Sequence, residues 1–197
     1  MRGRVIAFEG LDQSGKQTQA QLLSERLEAA GHRSRVVAFP DYRTAIGREI
    51  GRALAGERDY GADVMQLLYV ANRFEWKPEI ERALAAGTIV LCDRYIASSV
   101  AYGEAQGLDP AWLNDVQRYL PHPDLTVVLD IAPKTAVERK ALNRDRFEQD
   151  LALLDRVRAS YCRQASAPGW VLVDGERDRA AVAADVATAA WQSLGLP

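Results

Sequence analysis

The stretch Val5-Ile6-Ala7-Phe8-Glu9-Gly10-Leu11-Asp12-Gln13-Ser14-Gly15-Lys16-Gln17-Thr18 decides the fold. It opens on a short apolar run, passes through a loop bounded by two glycines, and ends where a helical pattern begins. That pattern sets Ala20, Leu23, Leu27 and Ala30 on one face, with Gly31 just past its end. Gly10 to Lys16 fill the first seven positions of G-x-x-x-x-G-K-[ST]. Glycines let such a loop curl until backbone N–H groups point inward at phosphate oxygens, and the following helix aims its positive end at the same place. Lys16 is then the residue that reaches the β- and γ-phosphates. A plain strand-to-helix turn would also use glycines, but the apolar strand before and the amphipathic helix after are the context that phosphate binding requires. The last position departs from the pattern. Gln17 stands where a Ser or Thr usually contacts Mg²⁺, and an amide oxygen fits a tight magnesium shell less well. Thr18 offers a hydroxyl one residue later.

Outward from this stretch the chain alternates strand-like and helix-like segments. Val36–Phe39, Thr88–Cys92, Leu125–Asp130 and Trp170–Val173 read as further strands. Asp63–Ala86, Tyr95–Gln106, Pro110–Tyr119, Thr135–Leu142, Glu148–Gln164 and Arg179–Leu194 read as helices, the first of them bent or interrupted at Pro78. Continuous apolar strands are strands buried on both faces, and their alternation with helices gives right-handed βαβ units. The expected fold is therefore α/β: a five-stranded parallel sheet flanked by helices on both faces, with ligands at the carboxyl ends of the strands.

With 197 residues and 48% apolar content, the chain can bury the core of a single domain, residues 1–197. The net charge of −2 argues against a nucleic-acid partner. Two cysteines, Cys92 in an apolar run and Cys162, make no disulfide framework, which suits a reducing cytoplasm. Neither a signal-peptide pattern nor a membrane-length apolar run is present.

Three further clusters carry chemistry. Asp93 and Arg94 end a strand, where a phosphate-binding enzyme places a carboxylate near Mg²⁺, usually through water, and an arginine between phosphates. They would equally serve as a helix cap and its surface partner. Tyr69 and Arg73, four apart on one helix face, suit an aromatic that stacks on a base and an arginine that reads its edge. They also suit a core aromatic with an arginine snorkelling beside it. Arg139, Lys140, Arg144 and Arg146 crowd the connection at 138–148, which is either a solvated face or a lid of arginines closing over a transferring phosphoryl group.

Taken together these pieces resemble the thymidylate kinases over essentially the whole chain. The matching segments are Phe8-Glu9-Gly10-Leu11-Asp12 with the phosphate loop, Phe39-Pro40, Tyr69 with Ala71-Asn72-Arg73, and Asp93-Arg94-Tyr95. Ser98-Ser99 with Ala101-Tyr102, Pro121-His122-Pro123-Asp124-Leu125 and Arg144-Asp145-Arg146-Phe147-Glu148 complete the set. The resemblance implies a P-loop kinase fold with an arginine-rich lid at about 138–148, and ATP and dTMP as substrates with Mg²⁺. ATP would lie on Gly10, Leu11, Asp12, Gln13, Ser14, Gly15, Lys16, Gln17 and Thr18. The dTMP would lie among Asp12, Phe39, Pro40, Tyr42, Tyr69, Arg73, Arg94, Ser98 and Tyr102, with Tyr69 on the thymine, Arg73 at its carbonyl edge and Tyr102 under the sugar. Asp12, Lys16 and Arg94 would be catalytic, together with one or more of Arg139, Arg144 and Arg146, because the phosphate loop itself holds no arginine. Asp93 would meet the metal, while the part of Gln17 stays open, and Val173-Asp174-Gly175 would form the adenine-side loop. A cytoplasmic homodimer is also implied. The rival readings are a deoxynucleoside kinase, a kinase for another monophosphate, or a nucleotide-binding module without catalysis.

Overall fold

The computed structural model describes residues 2–139 and 150–195. Five strands, β1 (Val5–Glu9), β2 (Ser34–Ala38), β3 (Ile89–Asp93), β4 (Leu125–Asp130) and β5 (Trp170–Asp174), form a sheet in the order β2-β3-β1-β4-β5. Every neighbouring pair is parallel. The helices are α1 (Lys16–Ala29), α2 (Ala45–Leu54), α3 (Ala62–Ala85), α4 (Ile96–Ala105), α5 (Pro110–Asp115), α6 (Pro133–Arg139), α7 (Leu151–Gln164) and α8 (Arg179–Leu194).

Side chains alternate across the strands and so build a core on each face of the sheet. Ile6 and Phe8 of β1, with Leu91, Val127 and Leu129, pack under Leu23 and Leu27 of α1 and Val182 and Val186 of α8. Val5, Ala7, Val90 and Cys92 point the other way, onto Ile80 and Leu84 of α3 and Ile96 of α4. Farther along that second face Val128 meets Leu153, Leu154 and Val157 of α7, and Ala97, Ala101 and Ala105 of α4. β1, β3 and most of β4 are buried on both sides as expected, whereas the edge strands β2 and β5 are only partly covered.

Local chemistry fixes most helix starts. Thr44, Asp109, Asp150 and Asp178 accept backbone N–H groups at the starts of α2, α5, α7 and α8, and Pro110 opens α5. α1, α3 and α4 have no side-chain cap at the residue before them.

Three readings of the sequence need correction. Ala62–Ala85 is one helix that runs through Pro78 without interruption. Pro78 lies on the exposed side, where water can serve the carbonyl left free, and packing of α3 on both sides of it outweighs the local cost. The helix α2 carries no counterpart in the sequence reading, although Thr44 and the spacing of Ile46, Ile50 and Ala53 announce it. The helix at Pro110 also ends earlier than expected, at Asp115, and continues as turns to Leu120. Cys92 is buried among apolar neighbours, as its surroundings in the sequence suggest.

α2 seats against the loop that leaves β2, because Gly47 comes so close to Asp41 that an added Cβ would lie 1.8 Å from the Asp41 carbonyl oxygen. Gly47→Ala should therefore push α2 off this loop and cost about 1–3 kcal/mol of stability, read from the urea midpoint. An unchanged midpoint would show that α2 moves freely.

Candidate active site

The chemistry gathers at the carboxyl ends of β1, β2 and β3. After Glu9 the chain turns through the loop 10–15. Gly10 has φ 131°, and a Cβ there would lie 2.4 Å from the carbonyl oxygen of Leu129 on β4, so only glycine fits. Gln13 takes a left-handed φ of 62°, and Gly15, with φ 95°, precedes the first turn of α1. Lys16 is buried, and its Nζ donates to the carbonyl of Leu11 at 2.8 Å. Burial, and then the positive charge of Arg94, bring its pKa down to about 8. Ser14 Oγ is buried without a partner beside it. Gln17 and Thr18 are both exposed.

Arg94 follows β3 with φ 63°, an uncommon conformation for a residue with a side chain. Its Nη2 donates to Asp12 at 2.7 Å and to the Tyr102 hydroxyl at 3.3 Å. Its Nη1 donates to Ser98 at 3.1 Å and to the Tyr161 hydroxyl at 3.3 Å. Burial by itself would lower the pKa of this guanidinium, but Asp12 and the surrounding phenols raise it well above the usual value, so Arg94 stays charged. Asp93 keeps one carboxylate oxygen, Oδ1, buried without a hydrogen-bond partner among the described residues. It does not cap α4. That place belongs to Glu9, whose carboxylate accepts from the backbone N–H of Tyr95 at 2.8 Å and of Ser98 at 3.3 Å. Arg94 pairs with Asp12 rather than with Asp93.

A cleft opens between α3, α4 and the loop after β2. Every residue assigned to an acceptor from the sequence lines it: Asp12, Phe39, Pro40, Tyr42, Tyr69, Arg73, Arg94, Ser98 and Tyr102. Arg73 does not snorkel to solvent. It is 3% exposed, and its Nη1 donates to Ser99 at 2.7 Å and to Gln117 at 2.9 Å. Burial lowers its pKa, and no carboxylate pairs with it directly among the described residues. Asn72 braces the loop against α3, accepting from the Asp41 N–H at 2.8 Å and donating to Thr44 Oγ1 at 2.9 Å. The peptide bond between Phe39 and Pro40 in this loop is cis.

Gln66, Ser99, Leu54 and Gln106 also line the cleft and had no role in the sequence reading. Gln66 was within reach of it, since Gln66, Tyr69 and Arg73 fall on one face of α3 at positions i, i+3 and i+7. On the opposite side of the phosphate loop, Arg139 at the end of α6 is exposed and donates to the carbonyls of Gln13 at 3.3 Å and Gly175 at 3.1 Å. It thus bridges the phosphate loop and the turn after β5. Arg144 and Arg146, with Lys140, Asp145 and Glu148, lie outside the described residues.

Comparison with known proteins points one way. The sequence model of the family described as "Thymidylate kinase" matches residues 8–186. The thymidylate kinase of Schizosaccharomyces pombe is 38% identical over 148 residues, 75% of this chain and 70% of that protein. The human thymidylate kinase is 33% identical over 188 residues, 94% of this chain and 88% of that protein. A solved thymidylate kinase from Candida albicans matches with a TM-score of 0.78 at 30% identity, covering 98% of this chain and 92% of that one.

The low pKa of Lys16 has a measurable consequence. Phosphate oxygens select the charged amine, and Lys16 loses its proton as the pH rises through about 8. Affinity for ATP should therefore hold steady below pH about 8 and weaken above it, approaching about tenfold per pH unit. Equilibrium binding between about pH 6.5 and 9.5 tests this, and a flat profile across the upper half would mean that Lys16 keeps its charge.

Proposed function

This chain belongs to the thymidylate kinase family, and on that footing we propose how its own residues carry out the transfer of the γ-phosphoryl group of ATP to dTMP, giving dTDP. The observation that carries the assignment of roles is a single cleft with two ends. Tyr69 and Arg73 line it together with Asp12 and Arg94, and these last two stand beside Lys16.

In this reading dTMP lies along the cleft. Tyr69 stacks on the thymine, Arg73 reads its carbonyl edge, and Phe39, Pro40 and Tyr42 close the outer side. Tyr102 lies under the sugar and disfavours a 2′-hydroxyl. Ser98 and Arg94 face the acceptor phosphate. ATP occupies the loop Gly10–Thr18, with Lys16 on its β- and γ-phosphates. The acceptor is a phosphate oxyanion near neutral pH, so no strong general base is needed, and the site works by alignment and charge neutralisation. Arg94, held at both edges of its guanidinium, supplies a fixed positive charge between donor and acceptor. Asp12 keeps that guanidinium in place. Arg139 reaches the phosphate loop from α6, and Arg144 and Arg146 are the other arginines that the lid at about 138–148 would contribute.

The donor set also fits a divalent ion, which we take to be Mg²⁺. Asp93 has a buried oxygen without a partner at the strand end, suited to holding a metal-bound water. No cluster of three or more His, Cys, Asp or Glu among the described residues would hold a metal by itself, so the phosphates of ATP must supply much of the shell. Gln17 and Thr18, which follow Lys16, are both exposed. When bound, the ion offsets the charge of the donor phosphates. We further propose that residues 1–197 act as one domain in a cytoplasmic homodimer, with ATP and dTMP rather than nucleic acid as partners. No helix among the described residues is long and apolar enough to cross a membrane.

The test is ADP release from ATP–Mg²⁺ with dTMP, dUMP, dCMP, AMP and thymidine. The Candida albicans relative is described as having broad substrate specificity, so the panel has to reach beyond dTMP. The highest kcat/KM should fall on dTMP; thymidine in first place would withdraw the acceptor-phosphate roles of Asp12 and Arg94. Lys16→Ala should lower kcat by roughly 10²–10³. Arg73→Ala should raise KM for dTMP by about tenfold or more and leave KM for ATP nearly unchanged. Equal effects on the two substrates would remove Arg73 from the base pocket.

A further inference from the structure

Arg94 and Glu9 bring opposite charges into the interior without touching. Glu9 is fully buried at the end of β1, and the Arg94 side chain is 14% exposed at the end of β3. Two hydroxyls stand between them. Ser98 Oγ accepts from Arg94 Nη1 at 3.1 Å and donates to Glu9 Oε2 at 2.5 Å. The Tyr161 hydroxyl accepts from the same Nη1 at 3.3 Å and donates to the same Oε2 at 3.2 Å. The two hydroxyls are 2.9 Å apart. Each is thus an acceptor toward the guanidinium and a donor toward the carboxylate, and together they turn a separated ion pair into a bridged one.

Ser98 belongs to α4, one turn from Arg94. Tyr161 comes from α7, 67 residues away from Arg94 in the chain. Its ring is 1% exposed and fills the apolar cluster between α4 and α7, where Ala97, Ala101 and Ala105 leave room for it. Only its oxygen reaches the polar bridge. Burial first, and then the nearby Glu9, raise its pKa well above that of an ordinary phenol, so the hydroxyl keeps its proton at any working pH. Tyr161 is too deeply buried to touch a nucleotide in the cleft, and it is not among the residues that line it.

We propose that Tyr161 is a positioning residue for phosphoryl transfer: its hydroxyl fixes the Nη1 edge of Arg94, so that the guanidinium presents one orientation to the phosphates. The proposal rests on the reading that Arg94 acts on the acceptor phosphate. The physical basis is the division of labour around one planar group. Asp12 and Tyr102 hold the Nη2 edge from the cleft side, where a substrate phosphate would compete with them. Ser98 and Tyr161 hold the Nη1 edge, and of the two Tyr161 does so from the interior, away from the cleft lining. A guanidinium held at two edges cannot swing, and a misplaced charge costs rate rather than binding.

The test is Tyr161→Phe, which keeps the ring and removes only the oxygen, measured beside Arg94→Lys and the double variant. Tyr161→Phe should lower kcat by about fivefold to tenfold, with KM for ATP within about twofold of the parent. In the Arg94→Lys background, which has no Nη1 edge to hold, the same change should add little. Losses that multiply across the double variant would overturn the proposal, since Tyr161 would then act independently of Arg94. So would a full kcat in Tyr161→Phe while Arg94→Lys is impaired. If Arg94→Lys alone leaves kcat intact, the acceptor-phosphate reading of Arg94 fails first and takes the proposal with it.

Discussion

A carboxylate buried at the end of the central strand organises this site. Glu9 is fully excluded from solvent, and a carboxyl group placed there without donors would cost several kcal/mol. It has four: two backbone N–H groups at the start of α4, the Ser98 hydroxyl and the Tyr161 hydroxyl. β1, α4 and α7 must therefore meet at this point for the fold to be satisfied. α4 needs no cap of its own because Glu9 supplies one from a different element. Once α4 is held, Ser98 and Tyr102 are placed, and Arg94 is caught between them.

The electrostatics follow from that placement. Arg94 stands beside Lys16, and Arg73 lines the same cleft as Arg94; Lys16 and Arg73 are both buried. Asp12 neutralises Arg94, so its charge is secure, while among the described residues Lys16 and Arg73 have no such close carboxylate, and burial lowers both their pKa values. Such a site attracts anions because binding one relieves a cost already present in the fold. A stability-optimised core would not bury Lys16 beside Arg94 with Arg73 in the same neighbourhood of the sheet, and such perturbed charges gather at functional sites.

The sequence was legible where chemistry is local. The glycine-bounded loop, the strands β1, β3 and β4 and the pair Tyr69 and Arg73 could be named because fixed spacings along one element put them on one face or in one turn, while Tyr102 came from the resemblance. It was less legible where several elements combine. Asp93 and Glu9 both stand at strand ends, and nothing in their spacing tells which caps α4 and which keeps an unpaired oxygen. Arg73 beside an aromatic suggested a surface arginine as readily as a buried one. It is the hydroxyl of Ser99 on α4 and the amide of Gln117 in the turns after α5 that allow it to be buried. Pro78 reads as a break because its local cost is certain, whereas the packing that carries α3 through it comes from the sheet and from α2.

By itself, then, the sequence determined the α/β class, the glycine-bounded loop, the family and the residues that line the cleft. The first two are written in short-range patterns, apolar runs and glycine spacing, whereas the family and the cleft residues came from the resemblance of several segments in order along the whole chain. Only the tertiary structure decided which charged groups are paired, which are buried and which stand alone. It joined Arg94 to Asp12 across 82 residues and Tyr161 to Glu9 across 152. Pairing of that kind depends on how strands and helices meet in space, and a charge's environment is set by neighbours that the chain brings in from far away.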